Sequence, residues 1–250
     1  MNDELKFTVI SDTHYYSKKN FVDGFDKNKK PKPGQLFFSR SEEIVEHTFD
    51  CLCKNDTPDI VLISGDLTYN GERTSHDEMK AALKKLQQNG KRVYVITATH
   101  DYTTPRMPTY GIDKNDKYIE VESVKRTQLL KYYGDFGYNN AIAKHKSTMS
   151  YVAQLADGYR LFALNDDYGD PDCGFSDELM NWVKTEANNA KRDGQYIIAM
   201  THHPLVPPSP IYTAVAKGDM LNDYELRRKQ LSDLGFDFVL TGHTHMHNIS

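Results

Sequence analysis

Residues Gly242-His243-Thr244-His245 follow an apolar run, Phe236, Phe238, Val239 and Leu240, that reads as a strand. Successive strand side chains point to opposite faces. Two histidines one residue apart therefore serve one site only if that site is dinuclear or the strand has just broken into a loop, a break that Gly242 favours. Taken alone, such a pair reads first as solvated or core-packed histidines. Other residues of ligand type, however, also stand directly after apolar runs: Asp12 and His14 after Phe7, Val9 and Ile10, Asp66 after Ile60 to Ile63, His100 after Val93, Val95 and Ile96, and His202 after Tyr196 to Met200. Carboxylates and imidazoles together suit Mn, Fe or Zn better than Mg or Ca, and ligands converge at the strand ends of an open α/β sheet. His100 also stands beside Asp101, a pairing that fits an oriented acid or base as well as a surface loop.

The elements that must carry these residues alternate between strand and helix. Ser39 or Ser41 caps a helix with one apolar stripe, Ile44, Val45, Thr48, Phe49 and Leu52. Ser75-x-x-Glu78 reads as a capping box opening a second helix, with Met79, Ala82, Leu83 and Leu86 on one side and Asn89-Gly90 as its stop. Ser176 opens a third, carrying Leu179, Trp182, Val183, Ala187 and Ala190 toward the core until Gly194. The Tyr-rich stretch 102–150 holds one expected helix, over 120–133. Met149 to Leu155 and Tyr159 to Leu164, joined through Asp157-Gly158, form a hairpin, so antiparallel strands enter and the sheet is mixed. Asn165-Asp166-Asp167 then reads as a turn, Pro204 ends regular pairing after His202-His203, and a modest helix is expected near Leu221 to Leu234. The segment from Tyr15 to Gln35, with Lys18, Lys19, Lys27, Lys29, Lys30 and Lys32, reads by composition as a mobile loop overhanging the first ligand pair.

A chain of 250 residues that is 38% hydrophobic fits one large domain better than two. Its formal net charge of -4 supplies no basic field, so neither duplex nucleic acid nor an anionic membrane is an expected partner. Cys51, Cys53 and Cys173 make an odd count and read as free thiols in a reducing compartment. No apolar stretch precedes the first strand, so no signal peptide or membrane span is expected and the expected location is cytoplasmic.

Taken in order from Asp12 to His245, the blocks Asp-x-His, Gly-Asp, His-Asp, His-His-Pro and Gly-His-x-His resemble the calcineurin-like metallophosphoesterase superfamily. Ser11 to Tyr15, Gly65 to Glu72 and Phe136-Gly137-Tyr138 are similar to bacterial members grouped with cyclic-nucleotide phosphodiesterases. The resemblance implies an α/β chain folded as a four-layer α/β/β/α sandwich of two mixed β-sheets, with one catalytic domain over residues 1–250. It implies two divalent or mixed-valence metal ions: the first held by Asp12, His14, Asp66 and His245, the second by His202 and His243, with Asp66 bridging. His203 is the lesser candidate of its pair. His100 would sit near the leaving-group oxygen as an acid or hydrogen-bond donor, with Asp101 as the candidate to orient its ring. Two adjacent cations neutralise the oxygens that repel a nucleophile and acidify a bridging water. The expected reaction is therefore hydrolysis of a small phosphodiester, nucleotide-type or other, by a bridging hydroxide. A phosphomonoesterase or protein phosphatase is the alternative enzyme, and a weakened relative retained as a binding module is the alternative from another class.

Two departures from the family pattern stand out. The chain ends at Ser250, just past the last ligands, where the family continues into further strands, so either the sheet closes differently or the sequence is truncated. Before the catalytic histidine the family has Gly-Asn, the amide oxygen serving the second metal, whereas this chain has Ala98-Thr99. Thr99 offers that metal a hydroxyl on a shorter arm, so the second metal is expected to be weakened or completed by water. Thr99→Asn combined with Ala98→Gly should then raise kcat/KM by roughly 10- to 100-fold when Mn is limiting. In a Mn titration the gain should shrink toward saturation, where mass action fills the weak position anyway; an unchanged gain at saturation would assign Thr99 to the chemical step instead.

Overall fold

The computed structural model describes residues 4–23, 38–54, 56–167 and 173–249. β1 (Phe7–Ile10), α1 (Ser41–Leu52), β2 (Ile60–Ser64), α2 (Arg73–Gln88) and β3 (Arg92–Ile96) make two successive strand-helix-strand units, and the three strands pair in parallel in that order. A two-stranded ribbon follows, β4 (Gly111–Ile112) with β5 (Tyr118–Ile119), and then α3 (Leu129–Tyr133). The second half of the chain supplies β6 (Ala143–His145), β7 (Ser150–Ala156), β8 (Tyr159–Ala163), α4 (Asp177–Arg192), β9 (Tyr196–Met200), α5 (Tyr212–Val215), α6 (Tyr224–Asp233) and β10 (Phe238–Leu240). These strands form one sheet in the order β10-β9-β8-β7-β6, parallel from β8 to β10 and antiparallel from β8 to β6.

The period-two alternation of strand side chains sorts the core into three layers. Val61 and Ile63 of β2 enter a core with Val45 and Phe49 of α1 and Met79 and Leu83 of α2. Their neighbours Ile60 and Leu62 face the other way, against Leu155, Leu161, Ile198 and Met200 of the five-stranded sheet. Behind that sheet, Phe162, Ile197 and Ala199 pack on Leu179, Val183 and Ala187 of α4 and Leu231 of α6. Three cores between helix, sheet, sheet and helix make the four-layer α/β/β/α sandwich. Ser176 accepts from the Leu179 N–H at 3.1 Å and caps α4 as its sequence suggests.

The departures from expectation have local causes. Among the described residues only the five-stranded sheet is mixed. Both connections among β1, β2 and β3 pass through a helix, which returns each strand parallel to the last. α2 starts at Arg73, ahead of the expected Ser75 cap, because the Ser75 hydroxyl is used as acceptor by the Ser17 N–H and the Asn20 amide, both at 3.1 Å. The helix expected over 120–133 shrinks to α3 and one 3-10 turn, since the Glu122 carbonyl accepts from Arg73 N–H and the Val124 N–H donates to Gly71. The start of the lysine-rich segment is packed rather than solvated: Tyr16 and Phe21 are buried against Tyr69 and Ile112, while Lys18 and Lys19 pair with Glu42 and Glu78. Lys27, Lys29, Lys30, Lys32 and Gln35 lie outside the described residues. No helix among the described residues is long and apolar enough to cross a membrane.

Leu62 is fully buried where the two sheets meet. Leu62→Ala should cost about 2–5 kcal/mol of unfolding free energy, read from the urea midpoint at unchanged slope.

Candidate metal centre

Pairing between β1 and β2 continues past the strands, with Asp12 N–H donating to the Gly65 carbonyl at 3.1 Å and His14 N–H to that of Asp66 at 3.0 Å. On the other sheet the Gly242 N–H donates to the His202 carbonyl at 2.9 Å. Within these extensions Asp12, His14, Asp66, His243 and His245 all adopt positive φ, from 39° to 71°. Such backbone is uncommon for residues with a Cβ, and it breaks the strand alternation. His243 and His245 therefore turn into one space instead of opposite faces. Two glycines keep that space open. A Cβ on Gly65, itself at φ +96°, would stand 2.8 Å from His202 Nδ1, and one on Gly242 would stand 2.8 Å from Asp12 Oδ2.

Asp66 lies at the middle of the gathering. Its Oδ1 accepts the His100 N–H at 3.0 Å, and its Oδ2 lies 3.2 Å from His202 Nε2 and 3.7 Å from His14 Nε2. Asp12 Oδ1 is 3.4 Å from His245 Nε2 and 4.0 Å from His202 Nε2, and both its oxygens accept the His243 N–H. His14 and His245 bring their Nε2 atoms to 3.1 Å. Four sets of three side chains hold their donor atoms within 4.8 Å of one another: Asp12, His14 and His245; His14, Asp66 and His100; Asp12, Asp66 and His202; and His202, His203 and His243.

The chemistry of this donor set fits metal ions. His202 is fully buried, its Nδ1 faces the Ser64 carbonyl oxygen at 2.8 Å, and that acceptor fixes the ring proton on Nδ1. Its Nε2 is left buried without a hydrogen bond among the described residues, aimed at two carboxylates. Burial pushes His14 and His243 down to about 4, which keeps both imidazoles neutral near pH 7. Burial opposes ionisation of Asp66, yet the histidines around it, His202 foremost, hold its carboxyl well below the usual range. For His202 burial is outweighed by the charges of Asp66, Asp12 and Asp166, which raise it to about 10. The site thus draws positive charge toward Asp66.

A family model described as calcineurin-like phosphoesterase matches residues 5–247. The chain belongs to that family. Calcineurin-like phosphoesterases are metal-dependent, with two ions in the site, and the clustered His and Asp side chains are able to hold metals. Among solved structures, a dimetal phosphatase from Danio rerio is similar over 96% of this chain and 81% of its own, with a TM-score of 0.63 at 12% identity. A purple acid phosphatase from yellow lupin (Lupinus luteus) seeds is similar over 96% of this chain and 37% of its own, with a TM-score of 0.58 at 14% identity. At these identities the likeness is one of fold. Comparison with curated proteins gives no match.

Of the site residues read from the sequence of this calcineurin-like phosphoesterase, Asp12, His14, Asp66, His100, His202, His243 and His245 come together. Thr99 opens the 3-10 turn that presents His100 and is half-buried there. Asp101 does not orient the His100 ring. Adjacent residues of a 3-10 turn point in different directions, and the Asp101 carboxylate instead accepts the Thr68 and Ala98 N–H groups, each at 2.9 Å, tying the β2 exit to the β3 exit. Burial, with the charge of Asp66, pushes its carboxyl up to about 7. The ring of His100 is held by acceptors, the Tyr69 carbonyl at 2.6 Å and Asn70 Oδ1 at 2.8 Å from Nδ1, which leaves Nε2 for the cluster. Asp166, read from the sequence as part of a turn, is fully buried: its Oδ2 accepts from Thr201 Oγ1 and from the His202 and His203 N–H groups. Nothing local in the sequence signals the roles of Asn70 and Asp166 beyond their position after a strand. Asn70→Ala should lower kcat by about tenfold or more at unchanged metal content, while Asn70→Asp, which keeps an acceptor, should retain most of the rate. Elemental analysis beside steady-state kinetics makes the comparison, and equal loss in both variants would detach Asn70 from His100.

Proposed function

We propose that the chain is a dinuclear phosphodiesterase for small, nucleotide-type or similar phosphodiesters. The observation that carries this reading is the single oxygen Asp66 Oδ2 lying between His14 and His202, with a set of ligand-type side chains on either side. Asp12, His14, Asp66 and His245 would hold the first ion, and Asp66, His202 and His243, with Thr99, the second. Mn, Fe or Zn suits this mixture of imidazole and carboxylate. Bound there, the ions supply charge neutralisation of the phosphoester oxygens and acidify water. His100, with its Nδ1 proton fixed by Tyr69 and Asn70, presents Nε2 toward the leaving-group oxygen and, when protonated, donates to it. Asp101 acts on this step only by holding the backbone that carries His100.

Two features support a diester over a monoester. A diester carries one negative charge at phosphorus and needs less neutralisation where the second ion meets the hydroxyl of Thr99 in place of an amide. The second is a cavity of about 280 Å³ that Asp12 and His14 share with Ser41, Ile44 and Val45 of α1. Cytoplasmic residence suits Cys51, Cys53 and Cys173, none of which is in a disulfide. The proposed partner is a small phosphoester, with no role for duplex nucleic acid or a membrane. In assays with nitrophenyl esters and added Mn, kcat/KM for the diester should exceed that for the monoester; a monoester preference of about tenfold or more would make the enzyme a phosphomonoesterase. No turnover of either ester by metal-loaded protein would favour a binding module.

A further inference from the structure

The second half of the cluster contains one imidazole beyond those that Asp66, His202 and His243 account for. His203 is buried, 2% exposed, with its ring centroid 4.3 Å from that of His243 and 5.0 Å from that of His202. The donor atoms of the three rings lie within 4.8 Å of one another. His203 Nδ1 stands 3.2 Å from Asp166 Oδ1, an ion-pair distance, and both atoms are buried without a hydrogen bond among the described residues. The other oxygen of Asp166 is fixed by Thr201 Oγ1 at 2.8 Å, the His202 N–H at 3.2 Å and the His203 N–H at 2.7 Å, so the loop that carries both histidines also orients the carboxylate. A buried carboxylate against one ring nitrogen is the usual way to set the tautomer of a metal-ligating histidine, leaving the other nitrogen as the donor. A histidine retained for packing alone would not need an anion buried beside it.

We infer that His203 is a direct nitrogen ligand of the second ion, with Asp166 as its positioning residue. It supplies the donor that Thr99, with a hydroxyl on a short arm, does not supply as an amide would. His203 thus takes the place given to Thr99 above, and Asp66, His202, His203 and His243 give the second ion four protein ligands, an ordinary number for a first-row metal site. The inference rests on the dinuclear centre proposed above.

The test is a Co²⁺ titration of the whole metal-stripped chain, followed by visible absorption and by elemental analysis after gel filtration. Wild type should take up two ions. His203→Gln and His203→Asn, each shown to be folded by its thermal transition without metal, should keep the first ion. They should bind the second at least about tenfold more weakly, with a changed absorption band for that step. Asp166→Asn should weaken the same step alone, and Thr99→Asn placed in the His203→Gln background should recover it. Two ions bound by folded His203 variants with wild-type affinity and spectrum would overturn the assignment of His203, provided that Asp66→Ala loses binding. Wild-type uptake by Asp66→Ala would instead overturn the dinuclear centre, and this inference with it.

Discussion

A single buried anion governs this molecule. Asp66 is 1% exposed, and a carboxylate removed from water costs several kcal/mol unless hydrogen bonds and opposite charge replace its hydration. One of its oxygens is satisfied by the His100 N–H, while the other is left to His14 and His202. Because His14 comes from the exit of β1 and His202 from the exit of β9, the requirement is met only when the two sheets are face to face and in register.

The sheets divide the chemistry between them. Both carboxylates of the cluster, Asp12 and Asp66, follow strands of the parallel sheet, whereas the exits of β9 and β10 in the mixed sheet bring only imidazoles, His202, His203, His243 and His245. Two of the four ligand sets, Asp12 with His14 and His245 and Asp12 with Asp66 and His202, draw on both sheets. Cross-sheet hydrogen bonds hold the halves to the geometry: His202 Nδ1 to the Ser64 carbonyl, the His243 N–H to Asp12, and the Tyr151 hydroxyl to the Val95 carbonyl at 3.1 Å. The left-handed backbone at five cluster residues is unfavourable for each of them separately, and it persists because packing on both sides leaves the loops no alternative.

Around the cluster stand carboxylates that face backbone rather than ligand positions. Asp101 joins the β2 and β3 exits, Asp166 gathers the loop after β9, and Glu72 accepts the Asn70 N–H in the loop that holds His100. Burial pushes Glu72 up to about 8 and Asp101 to about 7, while His203 and His202 overcome the burial of Asp166 and hold it down near 2. Three buried carboxylic acids thus differ in ionisation according to what each faces, which is why residue type alone did not separate ligand from support.

The sequence by itself determined the strands β1 to β3 and β7 to β10, the main helices and the residues at the strand ends, though not β4, β5 or β6, because hydrophobic periodicity and the position of a polar residue after an apolar run are local properties. From these the ligand types at Asp12, His14, Asp66, His100, His202, His243 and His245 were legible, as was the hairpin at Asp157-Gly158. What only the tertiary structure decided were relations between distant residues: Asp166 with a backbone 36 residues away, the His100 ring with Asn70 30 residues before it, and His203 turned toward His243. The misread segments share the same cause. Ser75 and the stretch around Glu122 carry helix signals, but their hydroxyl and backbone groups are engaged by partners that folding brings near. A hydrogen bond between remote residues leaves no periodicity in the chain, so it becomes visible only once the two sheets have closed on each other.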